Sequence, residues 1–124
     1  MLKKLLPLGL LPVLLAGCTS TFTNLTPLQQ PRNPNHLYPV EVAFHSRQQT
    51  LRWETINPQV VVGTDFYPMR PTPLMTNRWE ALLPVPADTK LVHYRYKFDF
   101  DYNAFGPRKT DSASSPVYTL RITP

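Results

Sequence analysis

Apolar and polar side chains alternate along most of this chain. In "YPVEVAFH", Val40, Val42 and Phe44 share one face, with Glu41 and His45 on the other. "TLRWET" sets Leu51 and Trp53 against Arg52 and Glu54, and "QVVVG" is a β-branched run closed by Gly63. Trp79, Ala81 and Leu83 fall together in "RWEALLPV", as do Tyr118, Leu120 and Ile122 in "VYTLRI". Such alternation is the signature of a half-buried strand, and nowhere do apolar residues recur at three-and-four spacing over a helical length. The turn clusters "INP", "PMRPTP", "PVPAD" and "GPRKTDSASSP" separate the runs. Six to seven short strands over residues 37–124, with proline kept to edges and connections, predict an all-β antiparallel β-sandwich.

The longest run is "LVHYRYKFDFDYN". Val92, Tyr94, Tyr96, Phe98, Phe100 and Tyr102 fall on one face, and His93, Arg95, Lys97, Asp99 and Asp101 on the other. At roughly 3.3 Å per residue it would extend about 40 Å, longer than a sandwich usually needs. Its first half therefore reads as core, since aromatic rings on one strand face bury large apolar areas. Its end is expected to project as a hairpin with the following segment or to bend at a bulge. Asp99, Asp101 and Asn103 match the first ligand positions of a calcium loop. Ala104, however, stands where the sharp turn wants Gly, and Thr110 where a bidentate Glu is needed. Pairing of these acids with basic neighbours across strands is expected instead, and no metal or other cofactor.

The amino terminus changes the picture more than composition does. "MLKK" is a positive n-region, and the apolar run "LLPLGLLPVLLA" is shorter than the roughly 20 residues a membrane-crossing helix needs. It reads as a signal peptide over residues 1–17. Leu15, Ala16, Gly17 and Cys18 end it as "LAGC", which closely resembles the lipobox of bacterial lipoproteins. The resemblance implies cleavage before Cys18, a diacylglycerol on its sulfur and an acyl chain (palmitate, for example) on its amine. Thr19, rather than Asp, follows the cysteine, which by the same resemblance points to the outer membrane as the place of the anchor. Cys18 is the only cysteine of the 124 residues, so no disulfide forms within the chain. Residues 19–36 are polar, contain three prolines and show no apolar period. They are expected to form, with Cys18, a Pro-rich tether over 18–36 that leads to the domain at 37–124.

Losing Lys3 and Lys4 with the signal peptide lowers the net charge from +5 to +3. The remaining basic residues are scattered, without the patch or stripe that a nucleic-acid footprint needs. Catalysis is not expected either. The three histidines, 36, 45 and 93, stand apart, no G-x-S-x-G elbow occurs, and the chain's four glycines form no phosphate-cradling loop.

Residues 60–98 are similar to the family 48 and related starch- or glycogen-binding modules. The matching positions are Val60 to Gly63, Phe66, Met75, Trp79, Leu83-Pro84 and the "YRYKF" of Tyr94 to Phe98. This resemblance implies an immunoglobulin-like, early-set form of the sandwich. It also implies candidate ligand-binding residues. Lys97 occupies the place of a lysine that touches sugar hydroxyls, Tyr67 lies in the loop that normally presents a stacking tryptophan, and Tyr102 is the aromatic nearest the second one. The expectation is a lipid-anchored envelope protein whose single domain binds or scaffolds. The alternatives are an envelope-tethered α-glucan-binding module and an accessory subunit that meets a protein partner in an envelope complex.

Overall fold

The computed structural model describes residues 20–47 and 50–124. Ten strands run in chain order. They are β1 (Ser20–Asn24), β2 (Gln29–Pro31), β3 (Leu37–Ser46), β4 (Leu51–Val62), β5 (Asp65–Pro68), β6 (Arg70–Pro71), β7 (Arg78–Pro84), β8 (Leu91–Tyr102), β9 (Lys109–Ser114) and β10 (Tyr118–Thr123). One sheet has the order β1-β3-β7-β6; the other has the order β2-β10-β8-β4-β5, with β9 also paired to β8. All pairings are antiparallel except that of β2 with β10, which is parallel. The two sheets face each other as an immunoglobulin-like β-sandwich, the first strand of the chain being divided between them. Of the strands beyond the expected six or seven, β2, β5 and β6 are edge strands of two to four residues, a length that discourages edge-to-edge pairing.

The alternation read from sequence is the alternation of burial. Tyr38, Val40, Val42 and Phe44 of β3 meet Val92, Tyr94, Tyr96, Phe98 and Phe100 of β8 in one core, joined by Trp79, Leu83, Leu120 and Ile122. On that inner face Phe98 packs tilted against Phe44 at 4.9 Å and edge-on to Trp79 at 5.1 Å, centroid to centroid. The tail of β8 forms the expected hairpin, with Lys97 to Tyr102 paired to Ser114 to Lys109. The irregularity falls on the partner strand. In β4, residues 53–56 lie between the pairs Arg52–Asp101 and Asn57–Asp99, opposite Phe100 alone. Thr55 stitches this bulge: its hydroxyl donates to the Arg52 carbonyl (2.6 Å) and accepts from the Asp101 amide (2.8 Å).

Proline shapes the strand that follows β8. Pro116 has no amide to give to a ladder, and β9 and β10 are separated there. Ser115 bridges the gap: its amide donates to the Tyr96 carbonyl (2.9 Å), and its hydroxyl accepts from the Tyr96 amide (2.8 Å).

Residues 20–31 correct the expected tether, for they are strands of the sandwich. β1 pairs with β3 from Ser20–Ser46 to Asn24–Val42, and β2 pairs with β10. The stretch escapes a hydrophobic reading because Phe22 is the one large apolar side chain of β1, and polar side chains add to its hold. Tyr96 donates its hydroxyl to Asn24 Oδ1 (2.6 Å), and Asn24 Nδ2 donates to the Tyr94 hydroxyl (2.8 Å). Thr26 Oγ1 sits 3.1 Å from the Tyr96 hydroxyl, donates to the Glu41 carbonyl and accepts from the Glu41 amide (2.9 Å). Further along, Gln30 donates to the Pro39 carbonyl, and the Arg32 guanidinium donates to the carbonyls of Ala87 and Thr89.

Candidate functional site

The registers place four chain segments at one end of the sandwich. Ser20 opens β1 opposite Ser46, which closes β3; Arg78 opens β7 opposite Ala43; Leu51 opens β4 opposite Tyr102, which closes β8. The connection from β6 to β7 (residues 72–77) and the tip of the β8–β9 hairpin (residues 103–108) therefore lie at the same end as Ser20. Backbone bonds knit these pieces together: the Phe44 amide donates to the Asn77 carbonyl (3.0 Å), and the Asn103 amide to the Thr50 carbonyl (3.1 Å).

Aromatic rings reach the surface here. The β4 bulge turns Trp53 outward, so that it is 45% exposed where an unbroken strand would bury it with Leu51. Its ring lies parallel to that of Trp79, 3° between planes and 6.3 Å between centroids, and edge-on to Phe44 at 6.3 Å. Trp53, Phe44, His45, Thr76 and Asn77 line a shallow groove of about 540 Å³. Beyond it, Leu74 and Phe105 are fully exposed and Met75 is exposed. Leu74 holds a φ of 65°, a left-handed backbone that an apolar L residue rarely adopts and that fits a sharp turn with its side chain in solvent. Gly106, at φ 84°, takes the corresponding strain out of the hairpin tip.

The charge at this end is basic. His45, Arg47, Arg108 and Lys109 are exposed, and residues 72–77 and 103–109 contain no Asp or Glu. Behind the tip, Arg108 pairs with Asp101 at 3.5 Å and Arg52 with Glu54 at 2.8 Å. A bond from its own backbone, joined by the Arg52 guanidinium, holds the Glu54 carboxyl below the usual glutamate range.

The sequence-derived candidates are dispersed. Leu15, Ala16, Gly17 and Cys18 lie outside the described residues. Tyr67 pairs with Val60, which also pairs with Tyr96, so Tyr67 turns inward and packs against the core. Lys97 pairs with Gln59 on the outer face and forms an ion pair with Asp99 at 2.9 Å. Tyr102 stands six residues beyond Tyr96 along β8, about 20 Å away at 3.3 Å per residue. The structure thus sets the three on two faces and at two levels and does not join them into one site. Asp99 and Asp101 likewise turn to separate cations, Lys97 on the same strand and Arg108 across the hairpin tip; Thr110 Oγ1 also donates to Asp101 at 2.8 Å. Among the described residues no group of three or more His, Cys, Asp or Glu is arranged to hold a metal ion.

Two tyrosines have raised pKa values. Burial pushes the Tyr96 hydroxyl well above the ordinary tyrosine range, against the opposing effect of its bond to Thr26. Burial also raises Tyr118, with a smaller contribution from Tyr94. Both serve packing at the sheet interface. What the exposed end offers is an apolar rim beside cationic side chains, an arrangement suited to adhesion. Sequence reading missed Trp53, Leu74 and Phe105 as surface groups. The available signal was their setting: Leu74 follows "PTP" and Phe105 precedes "GP", apolar residues inside turn clusters where no core can receive them.

No family model matches this chain, and no curated protein or solved structure matches it.

Proposed function

We propose that this chain is a bacterial lipoprotein of the cell envelope, held in the outer membrane by acyl chains on Cys18, with one non-catalytic immunoglobulin-like domain that binds or scaffolds. The observation that carries the reading is the "LAGC" at residues 15–18 behind a basic n-region and a short apolar run. Acylation gains about 0.8 kcal/mol per buried methylene, so a diacylglycerol together with an amide-linked chain anchors firmly where one chain would exchange. The domain suits a binding or scaffolding role: its inner faces are filled by aromatic and β-branched side chains, which leaves loops and outer faces for contact.

Metabolic labelling with an alkyne fatty acid tests the anchor. Wild type should take label and fractionate with outer membranes, and Cys18→Ser should take none; equal labelling of the two would refute it. The scatter of Tyr67, Lys97 and Tyr102 weighs against the α-glucan reading, which predicts retention on an α-glucan gel; elution without retardation is expected instead.

A further inference from the structure

We infer that the Trp53–Leu74–Phe105 end of the sandwich is a membrane-docking face, seated on the same lipid surface that holds Cys18. This rests on the lipoprotein reading and deepens it. Two observations combine. Ser20 is already paired with Ser46 at that end, so only Thr19 separates Cys18 from the folded domain. Two residues of fully extended chain reach about 7 Å. A cysteine held at the lipid headgroups therefore brings this end, and no other, against the bilayer; the expected long tether would have let the domain stand off and turn freely.

The second observation is what that end presents. Phe105 and Leu74 project from two different connections, one from each sheet, with side chains wholly in solvent, and Met75 and the half-exposed Trp53 lie with them. Four exposed apolar side chains at one end of the domain invite a partner. Arg47 and Lys109, both exposed, accompany them, with Arg108 paired to Asp101 behind the tip; these cations suit an anionic headgroup layer. Apolar tips beside cations at the interface are what peripheral membrane surfaces use to settle into the headgroup region. The chain's path thus names the occupant: a lipid surface lies within reach of this face by construction, and a protein partner would have to displace it.

The acylated full chain in vesicles of phosphatidylethanolamine and phosphatidylglycerol, with bromine on the acyl chains, tests the inference. Phe105→Trp and Thr64→Trp place reporters at the two ends, since Thr64 is exposed in the turn between β4 and β5, opposite the docking end. Relative to wild type, Phe105→Trp should add fluorescence that is blue-shifted and quenched at least twofold by the brominated lipid. Thr64→Trp should add fluorescence that is neither. Equal, unquenched increments from the two variants, with Cys18 shown to carry label, would overturn the docking face, leave the anchor standing and assign this end to a protein partner. Absence of label on Cys18 would remove the anchor and this orientation together.

Discussion

Tyr96 donates its hydroxyl to Asn24 Oδ1 at 2.6 Å, joining two residues 72 positions apart in sequence and fastening the edge strand β1 to the middle of the opposite sheet. The same asparagine donates to Tyr94, so one amide satisfies two tyrosines whose rings are core. The amino-terminal segment is thereby part of the folded unit, which also brings the chain to the domain at one defined end.

Asn24→Ala should therefore do more than trim an edge. It takes from Tyr94 its donor and from Tyr96 its shortest acceptor, and a buried polar group left without a partner costs about 1–3 kcal/mol. A loss of that size in urea unfolding is expected, with amide exchange in residues 20–24 accelerated before that in β8. Unchanged stability would show that the clip is ornamental.

Ser115→Ala tests how the chain crosses Pro116. The Tyr96 amide, which bonds to the Ser115 hydroxyl in the buried interior, would lose its acceptor, while the Ser115 amide kept its own bond to Tyr96. Roughly 1–3 kcal/mol of destabilisation is expected. Ser115→Thr, which keeps the hydroxyl, should recover most of it in the same melt.

The stacked tryptophans should separate in two measurements. Trp79 is 7% exposed and Trp53 45%. Trp79→Ala opens the core and should cost about 3–5 kcal/mol, as large-to-small core substitutions do. Trp53→Ala should cost well under half of that. In the soluble quencher acrylamide, emission of the Trp79→Phe variant, from Trp53 alone, should fall much faster than that of Trp53→Phe. Similar quenching of the two would contradict the outward turn at the bulge.

Alkaline titration probes Tyr96 directly. Its folded pKa is raised above the ordinary 10.0 that it would have when unfolded. Below pH 10 both states hold the proton, and the full stability is present. Above it the unfolded chain releases a proton that the native state keeps, so stability falls as pH rises. Tyr118, raised in the same direction, adds to the slope. Phenolate absorbance should show Tyr96 ionising only with unfolding. A single transition of all six tyrosines in a still folded chain would contradict its burial.

Much of this architecture is legible in the sequence because one physical rule, the alternation of side chains across a strand, applies residue by residue. It assigns Val40, Val42 and Phe44, the aromatic ladder of β8 and the inward residues of β7 and β10 without knowledge of their partners, and the turn clusters mark where strands end. The all-β sandwich follows from it. The lipobox resemblance is legible for a similar reason, since it is carried by four consecutive residues. Tertiary structure alone decided the rest, because the deciding contacts join distant residues. The polar side chains of residues 20–31 become strand only where Tyr94, Tyr96 and the Glu41 backbone meet them, and Trp53 leaves the core only because β4 carries a bulge opposite Phe100. Likewise, Tyr67, Lys97 and Tyr102, which suggest one site along the chain, are parted by the inward and outward faces of the sheet. Leu74 and Phe105, far apart in sequence, share one end because antiparallel registers return their strands to the level of Ser20.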